Sequence, residues 1–372
     1  MSTPNDQVLR VRQVIHVVRE GHMVALMCLL SFLLSCGSGN DMPDHGAEAS
    51  LRVHPSNSRW LTNDSGEAIY LTGISGGMNE TFYGAQTYPS AAFGCFQDVV
   101  SSTTPSVNDY VAAFDTLVST GLNFIRCWNW ENTTFGSQAH YDAGTAVHIP
   151  LDQMAYLLTD TRVDTTTGHN VTVGIYDLSR FNQAYFDRMR TRVLAARTRG
   201  IVPAVLLFVD DDARTPFSAI GHPYYAGNNV NGVNADTNMN GRVEEAHTLA
   251  SGKAGAKITA FQDAYIRKMI DTLNDIDGFI WEIANEGYPP TFAWQNHVAD
   301  VVTAYERTGG RKPHPIMMSP YVAANEDLLT NTDAQIVVVC EFKVLVQHQY
   351  PGASRNEGVA HGTLPTPDPY GA

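Results

Sequence analysis

Positive charge is scarce in this chain. Among 372 residues, 24 Lys and Arg stand against 38 Asp and Glu, a formal net charge of −14. A face able to grip a phosphate backbone is not expected, which excludes nucleic acid as a partner. Long apolar runs are missing too. The stretch from Met23 to Leu34 falls well short of the roughly 20 residues a membrane-spanning helix needs. Cysteine is rare: beyond Cys28 and Cys36 there are only Cys95, Cys127 and Cys340. Three widely spaced thiols make neither a disulfide framework nor a zinc pattern. Cys127 and Cys340 lie inside apolar runs and read as small core residues. What is present is an apolar fraction of 44%, enough for a sizeable core, with abundant Tyr and Gly.

The amino terminus reads as an export leader. Arg10, Arg12 and Arg19 precede the apolar run, whose length suits the central region of a signal peptide. Leu33-Leu34-Ser35-Cys36 resembles a bacterial lipobox, so Cys36 is the expected lipidation site, with a plain secretory signal as the other reading. Residues 1–36 are then the leader and 37–50 a linker. The expected location is the bacterial cell envelope or the outside of the cell, with a lipid anchor as the sole link to the membrane.

From Leu51 the chain alternates strand and helix. A hairpin opens it, with strands at Trp60-Leu61-Thr62 and Ala68 to Thr72 around Asn63-Asp64-Ser65-Gly66. Helical spacing follows from Val107 to Ser119, a buried strand from Asn123 to Trp128, a long loop, and a helix from Ser179 to about Arg199. Strand-like runs then occupy Ile201 to Phe208, Gly278 to Ala284, Pro315 to Ser319 and Ile336 to Val339. Helices are expected at Thr259 to Asn274, Phe292 to Thr308 and, briefly, Asn325 to Leu329. Such alternation means a parallel sheet covered by helices. The expected fold class is α/β, a TIM-type (β/α)8 barrel incomplete at about six of its eight strands and preceded by a short β-hairpin. The barrel-like region is residues 51–341. Residues 342–372 lose periodicity and read as an irregular tail, as from a truncated or frameshifted reading frame; a disordered tail on an open doubly wound sheet is the competing interpretation.

The chemistry concentrates in Phe279-Ile280-Trp281-Glu282-Ile283-Ala284-Asn285-Glu286-Gly287. An apolar strand ends in Asn-Glu, and barrel strands present their carboxyl ends to the active-site face. A carboxylate desolvated there gains basicity and can donate a proton to a leaving group. A second strand carries Arg126 and runs on through Trp128, Asn129, Trp130 and Glu131. Glu282 shares parity with Glu286 and suits a structural hydrogen-bonding group.

Taken together, Arg126 on the second strand and Asn285-Glu286 on the fourth resemble the large clan of retaining barrel glycoside hydrolases that includes cellulases and mannanases. His54 to Trp60, Tyr70 to Gly73, Asn123 to Arg126, Asn228 to Gly232 and Glu282 to Glu286 resemble a poorly characterised branch of bacterial glycosidases. The resemblance spans roughly residues 51–340. It implies that Glu286 is the general acid/base, that Asn285 holds a sugar hydroxyl and that Arg126 orients the catalytic carboxylate. The clan's nucleophile ends a seventh strand, which this chain lacks; Glu341, closing the sixth strand-like run, is the nearest substitute. Trp128, Trp130, Trp281, Tyr288 and His222 are candidates to contact sugar, each with core or loop packing as its plainer role, and His222 is expected on a surface loop.

A calcium-loop pattern runs from Asp236 through Asn238, Asn240 and Gly241 to Glu244, with His247 where a bidentate Glu belongs. Structural Ca²⁺ is therefore an expectation, and no cofactor is required for the chemistry. The functional expectation is hydrolysis of O-glycosidic bonds in a poly- or oligosaccharide by a two-carboxylate mechanism, lost if the nucleophile strand is missing. The alternative is a non-catalytic carbohydrate-binding lipoprotein of the cell surface.

Overall fold

Among the described residues, short apolar runs separated by amphipathic segments build one mainly parallel sheet. The computed structural model describes residues 50–57, 60–75, 96–98, 100–101, 104–105, 110–249, 252–319, 336–339 and 344–347, all within one compact unit, Gly46–Ala372. The parallel strands are β1 (Gly73–Ser75), β2 (Phe124–Cys127), β3 (Val202–Val209), β4 (Ile280–Asn285), β5 (Ile316–Met318) and β6 (Ile336–Val339). Each pairs with the next in chain order. A doubly wound sheet reverses its order at a switch point. Here the order never reverses, which is the winding of a (β/α) barrel, and six of the eight strands of such a barrel are present in sequence. Among the described residues the sheet does not close.

Helices α1 (Tyr110–Ser119), α2 (Gln183–Arg197), α3 (Lys253–Leu273) and α4 (Phe292–Glu306) connect successive strands. In α3 the buried residues Tyr265, Ile266, Met269, Ile270 and Leu273 fall on one stripe of the helix. The end of α2 is set by Gly200 at φ 75°, a left-handed position that a side chain would strain, after which the Ile201 amide bonds back to the Ala196 carbonyl. Helices on the outside explain why every residue of β3 and β4 is buried.

The amino end of the sheet is covered. Leu51, Leu61 and Leu71, from the three-stranded antiparallel piece Arg52–Val53, Leu61–Thr62 and Ala68–Ile69, pack on Phe124, Val202, Ala204, Ile280 and Met317. Four of the last five sit in the first half of their strands and Met317 in the middle of its own, so this piece closes the end opposite the strand termini that carry the polar residues.

Three expectations change. Residues 129–182 hold more than a long loop: Tyr156–Asp164 and Val171–Phe181 form an antiparallel hairpin. Ser179 lies inside its second strand, bonded to Asp177, and the helix begins at Gln183 behind Asn182. The tail is not irregular from its start, because β7 (Val344–Gln347) pairs antiparallel with β6. The turn expected at Asn325–Leu329 lies outside the described residues.

Candidate active site

The carboxyl ends of β2 to β5 gather a buried polar centre around Arg126. Its Nε donates to both oxygens of Glu282 at 3.0 Å, and its Nη2 donates to Glu282 and, at 2.7 Å, to Asn285 Oδ1. Ser319, just beyond β5, donates to Glu282 Oε1 at 2.6 Å. All four side chains are almost fully buried. A charged pair so far from water is tolerable only when its remaining hydrogen-bonding capacity is filled, and here β2, β4 and the segment after β5 fill it together.

Glu286 follows directly on β4 and is half-buried. Its backbone is left-handed, φ 49°, one of three non-glycine residues with positive φ among those described. Such a conformation costs about 1–2 kcal/mol and persists only where the surroundings impose it. They do so three times in succession. Arg214 Nη2 donates to the Glu286 carbonyl at 2.8 Å, the Gly287 amide to the Ser319 carbonyl at 3.1 Å, and the Tyr288 amide to Asp210 Oδ2 at 3.3 Å. A Cβ on Gly287 would lie 2.1 Å from Gln295 Nε2, so a side chain there would displace the Gln295 amide from its place beside Thr291. Arg214 also stacks over Tyr288, its guanidinium carbon 4.5 Å from the ring centroid.

Next to this loop lies a second buried charge cluster. His247 places Nδ1 2.9 Å from Asp210 Oδ1 and Nε2 3.2 and 3.4 Å from the two oxygens of Glu131. Trp294 stacks on its ring at 4.4 Å. Glu131 Oε2 accepts the Val209 amide at 2.7 Å, and Asp210 Oδ2 accepts the Thr291 hydroxyl at 3.1 Å. Burial opposes charge on His247, but Glu131 and Asp210 overcome it and push its pKa up to about 10. Burial likewise opposes ionisation of Glu131, yet His247 draws it below the usual carboxylate value.

His222 is not on a surface loop. It is buried, its Nδ1 accepts the Tyr224 amide at 3.1 Å, and burial lowers its pKa to about 4, which leaves it neutral. Its Nε2 lies 3.8 Å from Glu131, beyond hydrogen-bond reach. With Asn129, Trp130, Glu131, Tyr156, Tyr224 and Tyr265 it lines a cavity of about 20 Å³, room for roughly one water.

The aromatic candidates divide. Trp128 and Trp130 pack together at 5.1 Å, and Trp130 stacks on Phe135 at 4.6 Å. Both are buried just past the end of β2, and only Trp130 reaches the cavity. Trp281 cannot stack on a sugar. It is fully buried against Phe279 and His314, and its indole N–H donates to Glu306 of α4. The cause is strand parity: Trp281 alternates with Glu282, which faces Arg126. Tyr288 remains half-buried beside Glu286.

In the segment Asp236 to Glu244 the side-chain oxygens bind the loop itself. Asp236 accepts the amides of Asn240 and Gly241, Asn238 accepts that of Asn240, Asn240 accepts that of Arg242, and Glu244 accepts the Asn240 side-chain amide at 2.7 Å. Among the described residues no group of three or more His, Cys, Asp or Glu is arranged to hold a metal ion. Glu341 and Cys36 lie outside the described residues. From sequence alone Asp210 and Arg214 carry no role in a site, and His247 enters only as the mismatched position of the calcium-loop pattern. Asp210 had the same signal as Glu286, a carboxylate directly after an all-apolar strand; His247 had none, because its partners are 37 and 116 residues away.

No protein-family model matches the chain, and no curated protein matches it. Among solved structures it is similar to a putative glycoside hydrolase from Bacteroides vulgatus ATCC 8482, with 13% identity and a TM-score of 0.45 over 78% of this chain and 41% of that one. A glycoside hydrolase family 5 mannosidase from Rhizomucor miehei gives 10% and 0.46, over 78% and 61%. Endo-glycoceramidase II from Rhodococcus sp. gives 15% and 0.40, over 74% and 55%. The chain thus spans between 41% and 61% of the length of these three.

Proposed function

We propose that this chain is a glycoside hydrolase in which Glu286 is the general acid/base. The observation that supports it is the left-handed Glu286, clamped at the carboxyl end of β4 directly after the Arg126–Glu282–Asn285 centre. Strain imposed from several elements on a half-buried carboxylate is characteristic of a residue held for use.

In this reading Glu286 protonates the departing glycosidic oxygen and later takes a proton from the incoming water. Arg126, saturated by Glu282, fixes the Asn285 amide beside the cleaved bond. Tyr288 offers a ring face to the apolar side of a pyranose. The reaction needs a second carboxylate about 5 Å from Glu286 for retention of configuration, and Glu341 is the residue we nominate. It uses no cofactor. Export by a leader ending at Cys36 fits a polymeric substrate met outside the cytoplasm.

Hydrolysis of a panel of nitrophenyl glycosides and of manno- and gluco-oligosaccharides by the purified full chain tests the reading. Glu286→Gln should lower turnover by about 10²–10⁴. Oligosaccharide binding seen by NMR without turnover in the wild type would instead favour a carbohydrate-binding protein.

A further inference from the structure

His247 joins the ends of two strands, through Glu131 after β2 and Asp210 after β3. Both of its ring nitrogens face carboxylates, Asp210 on one side and Glu131 on the other. Ionised carboxylates only accept hydrogen bonds, so both nitrogens must carry protons for the arrangement to be satisfied. His247 and Asp210 are fully buried and the Glu131 side chain is only 9% exposed, and Trp294 and Phe208 close over the ring. Each carboxylate also accepts a backbone amide near the site, and Asp210 accepts the Thr291 hydroxyl besides. Glu131, which follows β2, holds the last amide of β3 at Val209; Asp210, which follows β3, holds the Tyr288 amide two residues beyond Glu286.

We propose that His247 is a positioning residue for Glu286: as a buried imidazolium between Glu131 and Asp210, it sets the loop Glu286–Tyr288 and so aims the acid at its substrate. This rests on the reading of Glu286 as the general acid. The physical argument is one of compensation. Without the central cation, Glu131 and Asp210 are two buried anions separated only by the space the ring occupied, and they repel. The readiest relief is for Asp210 to turn towards solvent. That turn weakens its grip on the Tyr288 amide, and with it one of the three contacts that hold Glu286 left-handed. Arg214, 3.9 Å from Asp210, would lose an attraction at the same time, and it holds a second of the three contacts.

Two measurements on the full-length protein test this, one independent of activity. Hydrogen exchange is followed at the Gly287 and Tyr288 amides and at the Trp281 and Ile283 amides of β4, in wild type and in His247→Gln. We expect exchange to rise about 10–100-fold at Gly287 and Tyr288 and to stay within about twofold in β4. A uniform rise at all four, or none at any, overturns the proposal. Asp210→Asn, which keeps side-chain size and an acceptor for Tyr288, serves as second variant if His247→Gln does not fold, and should give the same pattern more weakly. The second measurement is steady-state hydrolysis of whichever glycoside the wild type cleaves. His247→Gln should lose about 10–100-fold in kcat with KM within about threefold, since positioning acts on the acid and not on sugar binding. An unchanged kcat with a raised KM overturns the proposal. A wild type that cleaves nothing defeats the glycosidase reading instead, while the exchange pattern still decides whether His247 sets the loop.

Discussion

Arg126 on β2 reaches past β3 to Glu282 on β4, and the two are joined through both carboxylate oxygens with side-chain exposures of only 8% and 0%. A pair so placed ties two non-adjacent strands through their side chains, where the sheet itself offers no hydrogen bond between them.

Breaking that pair from one side should be costly. Arg126→Met leaves Glu282 buried without its cation, and about 3–5 kcal/mol of stability is expected to be lost. The double variant Arg126→Met with Glu282→Leu should lose clearly less than the sum of the single changes. Urea denaturation of all four proteins measures this, and strict additivity would show that the two residues do not act as a unit.

Glu286 should be a residue that weakens the fold. Glycine adopts φ 49° without the steric cost that Glu286 bears. Glu286→Gly is therefore expected to stabilise the protein by about 1 kcal/mol, seen as a higher melting temperature, while abolishing hydrolysis. A lower melting temperature would mean that the carboxylate itself contributes to folding.

Stability should be greatest near neutral pH, for reasons that lie in two histidines. His247 has its pKa raised to about 10, above the value of about 6.5 of an unfolded His. Its contribution is fully present below about 6.5 and is lost as pH rises through 10, an amount of roughly 3–5 kcal/mol. His222 works on the acid side. Burial lowers its pKa to about 4, so stability falls as pH drops from about 6.5 towards 4, because the unfolded chain takes up a proton that the folded chain refuses. Unfolding free energies from pH 4 to pH 10.5 should trace this dome. His247→Gln should flatten its alkaline limb and His222→Phe its acid limb.

Trp281→Phe should separate packing from recognition. The change removes the indole N–H that satisfies Glu306 and leaves a small cavity, at a cost of about 1–3 kcal/mol. Affinity for oligosaccharide should not change. A loss of affinity without loss of stability would place Trp281 at the sugar after all.

Most of the sheet was legible because β2, β3 and β4 are buried on both faces and read as unbroken apolar runs. The hairpin Tyr156–Asp164 with Val171–Phe181 was less so, since its first strand exposes Asp160, Thr161 and Val163 and carries little apolar signal. In the site, Glu286, Asn285 and Arg126 could be found from their place at strand ends. Applied to Trp281, the same period-two rule would have turned it towards α4. The Glu131–His247–Asp210 cluster could not be read, because it forms only when a loop residue folds back over two strand termini that local sequence does not connect to it.

The unbroken strand order carries a consequence for how the molecule is made. Each strand needs only its immediate predecessor as a template, so the sheet can grow from its first strand as the chain leaves the ribosome. Arg126 is then laid down early, and its carboxylate partner emerges 156 residues later. During that interval the guanidinium has to stay hydrated. The buried ion pair can therefore form only after β4 is made, so the polar centre of the sheet is among the last parts of it that can close.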